Sequence, residues 1–171
     1  MRRLLRHKAV ILIAAIISCI AIPAAGVTAT AGPALAAGNI CNINGLGYCA
    51  GGATIGIGDP VTLESGGRVF EEEAQNFTCC GGWPVFRLQY AANPARCMGV
   101  AATSNNVTVR DCSGGDSSNV NWAREDPNQN GQIEWYNNHG GGFLTSHNIP
   151  GQQLFVVPTP CTQSCFYKWT G

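Results

Sequence analysis

Apolar and polar residues alternate along the chain over short stretches that are separated by glycine, proline and asparagine. The alternation is clear at residues 86–90, 107–109 and 133–135, and it is the period-two pattern of a half-buried strand. Runs such as 113–115 and 140–142, both rich in glycine, lie between these stretches and are typical of turns. The pattern predicts an all-β domain of short strands and many turns, and it excludes a helical bundle.

The same pattern recurs with a period near 47 residues. Trp122 and Trp169 are 47 positions apart, and Val61 and Val107 are 46 apart. The other pairs that keep this register are Leu63 with Val109, Phe86 with Ile133, Leu88 with Trp135, and Val109 with Val156. Three units of about 45 residues therefore fill one domain. We expect Trp122 and Trp169, which close their units, to plug a shared interior.

Residues 1–36 have the features of an export signal. They carry four basic and no acidic side chains, a mostly apolar run at 9–22, and small residues that end in Ala34-Leu35-Ala36. The basic flank together with the small residues favours a cleaved signal over a buried N-terminal helix. Because the apolar run is shorter than the roughly 20 residues that cross a bilayer, we predict no membrane span. The sequence thus predicts a signal peptide at 1–36 and a secreted domain at 37–171.

A second interpretation of the N-terminal segment involves Cys19. Residues 16–19, Ile-Ile-Ser-Cys, resemble the lipobox of bacterial lipoproteins, in which the cysteine becomes the acylated first residue of an anchored protein. The chain stays apolar after Cys19, where lipoproteins usually turn polar. Secretion is therefore the favoured prediction, and a lipid anchor at Cys19 is the alternative.

The charge of the remaining chain excludes one class of partner and gives no sign of catalysis. Residues 37–171 hold 6 basic and 10 acidic side chains, a net charge of −4, so we predict no nucleic-acid binding. No Gly-x-Ser-x-Gly elbow or His-Glu-x-x-His motif occurs, and the acidic run at 71–73 is typical of a solvated face. We predict a protein that is not an enzyme.

The cysteines of the exported chain predict a disulfide framework. Eight remain after the signal: Cys41, Cys49, Cys79, Cys80, Cys97, Cys112, Cys161 and Cys165. An even number in an exported chain favours disulfides, and the absence of any Cys-x-x-Cys pair argues against a metal site, so we predict no metal and no cofactor. Cys79 and Cys80 are expected to bond to different partners, because a bridge between adjacent residues strains the peptide. The other pairings stay open.

These residues together resemble the ricin B-type lectins, which are β-trefoils. The resemblance rests on Cys97-Met98 at the start of a unit, a Val-x-Val strand at 107–109, Cys112, and Trp122 ten positions later, with weaker copies elsewhere in residues 39–171. It implies twelve strands in three pseudo-symmetric units, six of which form a closed barrel. It also implies a Cys97–Cys112 disulfide, worth about 3 kcal/mol for a loop of that length.

The resemblance further implies a shallow sugar pocket in each unit, built from an Asp, an aromatic ring and an Asn-Gln pair. In the middle unit Gly99 stands at the Asp position, Arg110 at the aromatic position, and Asn119 matches the family. The Asp positions of the first and third units hold Gly51 and Thr145. If a sugar binds at the family site, we expect Asn119 to anchor it and the flat guanidinium of Arg110 to replace the ring. An acidic or heavily hydroxylated glycan, bound weakly, is then the expected ligand.

Three functions are compatible with these features. The first is a carbohydrate-binding module with a divergent or relocated pocket, which exposed Trp83, Trp135 or Tyr136 beside residues 137–139 would favour. The second is a module that binds an extracellular protein, such as a protease inhibitor, which a rigid loop at 79–83 would favour. The third is a structural scaffold without a ligand.

Overall fold

The computed structural model describes residues 35–43, 46–113, 117–126, 129, 131–159 and 167–170. The predicted signal, apart from its last two residues, lies outside this part, as do Cys19, Cys161 and Cys165. The strands are β1 (Leu35–Asn39), β2 (Cys41–Asn42), β3 (Tyr48–Gly51), β4 (Thr62–Ser65), β5 (Val69–Cys79), β6 (Trp83–Tyr90), β7 (Asn93–Val100), β8 (Val107–Asp111), β9 (Asn121–Glu125), β10 (Glu134–Asn137), β11 (Gly142–Thr145), β12 (Phe155–Val157) and β13 (Trp169–Thr170). A 3-10 helix covers Ser117–Val120. Strand β1 extends across the predicted signal boundary.

The strands form two antiparallel sheets. One follows the order β1-β5-β6-β9-β10-β11-β12, with β7 paired to β6 and β8 paired to β7, and the other follows β13-β2-β3-β4. Isolated bridges such as Pro60 with Thr108 and Ile133 with Trp169 join distant parts of the chain. The predicted all-β fold is confirmed, although the described residues form thirteen strands where the lectin resemblance implied twelve. No helix within the described ranges is long and apolar enough to cross a membrane.

Three units meet at a closed ring of backbone hydrogen bonds. The N–H of Val61 donates to the carbonyl of Val107 (3.1 Å), that of Val107 to Leu154 (2.8 Å), and that of Leu154 back to Val61 (2.8 Å). All three side chains are completely buried. A second set of three bonds repeats the threefold pattern without closing a ring: the N–H of Leu63 donates to the carbonyl of Gln152, that of Val109 to Asp59, and that of Val156 to Asn105. Because equivalent bonds recur at every unit, the predicted register of the repeat is confirmed.

The two tryptophans that close the second and third units are tethered in the same way. The indole Nε1–H of Trp122 donates to the carbonyl of Met98 (2.8 Å), and that of Trp169 donates to the carbonyl of Leu144 (3.0 Å). Both rings are fully buried. A buried indole N–H needs an acceptor, so each tether both satisfies the donor and fixes the ring in the core, as predicted.

The first unit has no closing tryptophan, and a different donor hydrogen-bonds to the equivalent carbonyl. Its equivalent acceptor, the carbonyl of Ala50, receives the backbone N–H of Arg68 (2.9 Å). The chain reaches this point through Gly67, which has a φ of 53° and where an added Cβ would lie 2.6 Å from the oxygen of Ala50. The core volume is supplied by Phe70, whose ring lies 4.6 Å from that of Tyr90. A backbone N–H thus replaces the indole.

Two disulfides are present in the described residues, Cys41–Cys49 and Cys97–Cys112. The second is the pair that the lectin resemblance implied. Disulfides of this kind indicate maturation in an oxidising compartment.

The structure corrects the expectation that Cys79 and Cys80 bond to separate partners. Both are free thiols, and the other four cysteines of the described ranges are paired with one another.

Candidate ligand-binding surface

The lectin-type pocket of the middle unit is filled by the protein itself. Gly99, which stands where the family has its Asp, is buried, and a Cβ added there would lie 2.8 Å from Cγ of Arg110, 2.9 Å from the carbonyl oxygen of Asn119 and 3.0 Å from Cγ1 of Val120. Contacts this short are repulsive. No side chain larger than hydrogen fits, so this position is part of the packing and does not line an open dish.

The structure does not bring the predicted sugar anchor to the surface. Asn119 is 0% exposed, and its carbonyl accepts a 2.9 Å hydrogen bond from Nδ2 of Asn137. Arg110 is half-buried, and its stem covers Gly99. A side chain without exposed surface cannot bond a sugar on the outside of the domain, so the position of Asn119 does not support the predicted role. Sequence reasoning missed this because it could not see the burial.

The corresponding positions of the other two units are also closed. At Gly51 an added Cβ would lie 3.0 Å from Cγ of Glu64. Thr145 is completely buried, and its hydroxyl donates to the carbonyl of Phe143 (2.8 Å). None of the three positions presents a carboxylate or an open cavity. The packing at these three positions therefore does not support the sugar pocket that the lectin resemblance implied.

Three half-exposed aromatic rings gather on the surface of the larger sheet. Trp83 begins β6, Tyr136 lies in β10 and Phe143 lies in β11. The ring of Tyr136 lies 5.1 Å from that of Phe143 and 6.2 Å from that of Trp83, both edge to face, and Trp83 lies 6.5 Å from Phe143. We call these three residues the aromatic patch. Strands β10 and β11 pair Tyr136 directly with Phe143, so the sheet register holds the patch together.

Strand alternation divides the aromatic residues between the patch and the core. Trp135, whose exposure would have favoured sugar binding, is 0% exposed and packs edge to face on Phe86 at 6.1 Å. Its neighbour Tyr136 points to the other face of β10, because successive side chains of a strand alternate. Trp83 and Tyr136 are thus available for a ligand and Trp135 is not.

The turn that follows β10 is built by a buried amide. Nδ2 of Asn137 donates to the carbonyls of Asn119 (2.9 Å) and Asn121 (3.1 Å), and its Oδ1 accepts the N–H of Gly140 (2.8 Å). This arrangement leaves Asn138 and His139 exposed at the tip of the turn. Of the three polar residues predicted beside the rings, two are therefore on the surface and one holds the turn.

A cleft of about 540 Å³ opens beside Trp83. Its lining consists of Gly82, Trp83, Pro84, Phe86, Arg124, Glu125 and Asp126. Arg124 is fixed there by Glu72, whose carboxylate lies 3.2 Å from the guanidinium, and by the ring of Trp135 at 6.0 Å. Burial raises the pKa of Glu72, and the charge of Arg124 opposes that rise. The cleft is therefore lined by aromatic rings on one part of its surface and by the guanidinium of Arg124 and the carboxylates of Glu125 and Asp126 on another.

Two glutamates oppose each other on adjacent strands beside this cleft. Glu134 in β10 pairs with Glu125 in β9. Burial raises the pKa of Glu134, the charge of Glu125 adds to the rise, and Lys168 counteracts it; burial also raises the pKa of Glu125. Like charges directly opposite in an antiparallel pair are destabilising, so ionised Glu134 costs the folded state free energy.

This arrangement predicts a dependence of stability on pH. A carboxyl group whose pKa is higher in the folded than in the unfolded chain lowers stability above its folded pKa, and the cost disappears below the unfolded value of about 4.3. We expect Glu134→Gln to raise the thermal midpoint at pH 7, with the difference from wild type shrinking as the pH falls towards 4. Calorimetry across this range tests the expectation, with Glu71→Gln as an exposed control. A constant difference at all pH values would contradict it.

Comparisons with known proteins identify the fold and nothing finer. No family model matches the chain, and no curated protein is significantly similar to it. A solved structure described as a mosquitocidal holotoxin is similar, with a TM-score of 0.65, 14% identity and 79% of this chain covered, but only 17% of the toxin chain. This chain thus corresponds in length to a small part of that toxin.

Two further structures are similar over most of their own length. A mutant of Gallus interleukin-1 beta has a TM-score of 0.58 at 14% identity, covering 77% of this chain and 91% of that one. The designed 3-fold symmetric protein ThreeFoil has a TM-score of 0.53 at 17% identity, covering 72% and 89%. At such identities the likeness establishes the β-trefoil fold alone.

Proposed function

We propose that this chain is a secreted carbohydrate-binding module whose ligand lies on the aromatic patch and the adjoining cleft. The observation that carries the proposal is the gathering of Trp83, Tyr136 and Phe143, three half-exposed rings from two hairpins, beside a cleft with charged groups. The three positions of the family pocket are closed. The proposed site is therefore the relocated one that the sequence left open.

The chemistry of this surface matches that of a sugar. Flat rings pack on the apolar face of a pyranose, and a few placed polar groups orient its hydroxyls. Trp83 belongs to both the patch and the cleft, so it is the centre of the proposed site. Arg124, Glu125 and Asp126 supply donors and acceptors along the cleft. One cation beside two acids favours a neutral, hydroxyl-rich glycan over an acidic one.

Substitution of Trp83 tests the proposal. A glycan array of the full chain identifies the ligand, and calorimetric titration then compares variants. We expect Trp83→Ala to weaken binding at least about tenfold, which corresponds to 1.4 kcal/mol, and Trp83→Phe to retain most of the affinity. Arg110→Ala is the control for the lectin-type site and is expected to bind like wild type. Undiminished affinity in folded Trp83→Ala, or loss of affinity in Arg110→Ala, would contradict the proposal.

A protein partner is the second candidate, because the β5–β6 hairpin carries an exposed apolar residue. Phe77 is 50% exposed, next to the register shift between Ala74 and Thr78. Against this function, the loop at 79–83 carries two free thiols, Cys79 and Cys80, and no disulfide links it to another described part of the chain. Inhibition of extracellular proteases by wild type, lost in Phe77→Ser and kept in Trp83→Ala, would favour this function over sugar binding.

A further inference from the structure

Two adjacent thiols occupy the turn between β5 and β6. Cys79 is the last residue of β5 and pairs with Trp83 across the hairpin. The N–H of Gly82 donates to the carbonyl of Cys79 (3.0 Å), which closes the turn. Cys80 adopts a left-handed conformation with a φ of 53°, which few residues other than glycine and asparagine adopt without cost. The fold therefore holds the two cysteines in one defined geometry.

The two sulfur atoms lie unusually close together. Their Sγ atoms are 2.6 Å apart, and Cys80 is exposed while Cys79 is half-buried. Cys80 also contacts Oδ1 of Asn138 at 4.0 Å, on the turn that borders the aromatic patch. The four other cysteines of the described ranges are bonded as Cys41–Cys49 and Cys97–Cys112. Within this part of the chain, each of the two thiols thus has only the other as a partner for oxidation.

We propose that Cys79 and Cys80 form a reversible vicinal disulfide at the tip of the β5–β6 hairpin. The proposal goes beyond carbohydrate binding and does not depend on it. The objection that a bridge between adjacent residues strains the peptide bears on its lability rather than on its formation, because the turn already directs both sulfurs to the same point. The other two disulfides show that the chain meets an oxidant as it matures.

The bond forms by ordinary exchange with a small disulfide such as oxidised glutathione. The thiolate of Cys80 attacks one glutathione sulfur, which releases one glutathione thiol and leaves a mixed disulfide on Cys80. Sγ of Cys79, after losing its proton to water, then attacks Sγ of Cys80 and expels the second glutathione as a thiol. Two protein thiols are oxidised, one glutathione disulfide is reduced to two thiols, and the two protons leave with them.

The environment assigns different roles to the two sulfurs. Cys80 is accessible to a small oxidant, whereas burial, followed by the neighbouring Cys80 thiol, raises the pKa of Cys79 to about 12. The thiolate is the attacking species in exchange, so Cys80 reacts first and Cys79 resolves the mixed disulfide. A strained, exposed bridge is also the kind that reductants reopen readily. Cys97 and Cys112, 0% and 6% exposed, are sheltered from the same reagent.

Peptide mapping of the full chain reads the proposed bond directly. Arg68 and Arg87 are successive trypsin sites, and the peptide between them, residues 69–87, contains Cys79 and Cys80 and no other cysteine. After incubation with oxidised glutathione and alkylation of remaining thiols, we expect this peptide to be unalkylated and lighter by two hydrogens than its reduced form. Mild reduction should restore two alkylatable thiols in it. The cross-link between peptides 97–110 and 111–124 should persist under the same conditions.

Single substitutions complete the test. Cys80→Ser is expected to give no light form of peptide 69–87 and to leave Cys79 as a slowly alkylated thiol, and Cys79→Ser to accumulate glutathione on Cys80. Three outcomes would overturn the proposal. Peptide 69–87 could be cross-linked to peptide 125–168, which contains Cys161 and Cys165, it could retain two glutathiones, or it could remain fully alkylated after oxidation.

Discussion

Trp122→Ala is expected to cost the domain about 5 kcal/mol or more of its free energy of unfolding, which is the stability of many whole domains. Trp122 is completely buried, and its indole N–H satisfies the carbonyl of Met98. Truncation leaves a cavity of nearly an entire ring system and an orphaned buried acceptor, and the second effect adds about 1–3 kcal/mol to the first. Urea denaturation followed by circular dichroism measures the loss.

Two variants separate the contributions to this loss. Trp122→Phe keeps an aromatic ring but removes the N–H, so it should recover part of the loss and remain less stable than wild type. Trp83→Ala makes the same chemical change at a half-exposed site and should change the stability by much less. If Trp122→Ala unfolded at the same urea concentration as Trp83→Ala, the tether would not be the structural anchor described above.

Gly99→Asp is expected to destabilise the domain without creating a galactose site, although it restores the carboxylate of the lectin pattern. The added Cβ would lie 2.9 Å from the backbone oxygen of Asn119, which cannot move away without shifting the chain. Overpacking of this kind costs about 1–3 kcal/mol. The carboxylate adds the cost of placing a charge at a buried position, so the variant should lose more than either effect alone.

Gly99→Ala is the matched control for this substitution, because it adds the Cβ and no charge. We expect it to lie between wild type and Gly99→Asp in denaturation midpoint, and we expect neither variant to bind galactose in calorimetric titration. A stable Gly99→Asp protein that bound galactose would show that the packing around residue 99 can rearrange to form a pocket. The binding site would then be assigned to Asn119 and Arg110.

The repeat could be predicted from the sequence because the axis of the fold is made of apolar residues at regular spacing. Val61, Val107 and Leu154 hydrogen-bond in a ring, and their spacing of 46 and 47 residues is visible in the chain. The Cys97–Cys112 pair followed from the lectin resemblance and is present. Positions that are buried at regular intervals hold apolar residues at regular intervals, so these features could be predicted from the sequence.

The proposed binding surface was harder to predict from the sequence, because it depends on which way side chains point and what fills the space beside them. Asn119 matches the family pattern yet is buried, and only the packing around Gly99 explains why no dish forms. Trp83 and Tyr136 lie 53 positions apart in the sequence and meet through the sheet. Strand alternation at Trp135 and Tyr136 was the one local signal that separated a core ring from a surface ring.

The ring at the pseudo-threefold axis also governs when the domain can fold during synthesis. Its last bonds join Leu154 to Val61, 93 positions earlier, so two units cannot close it. Folds dominated by such distant contacts form slowly. During synthesis the first two units therefore emerge before the ring can close, and the domain can complete its fold only after the third unit has been made.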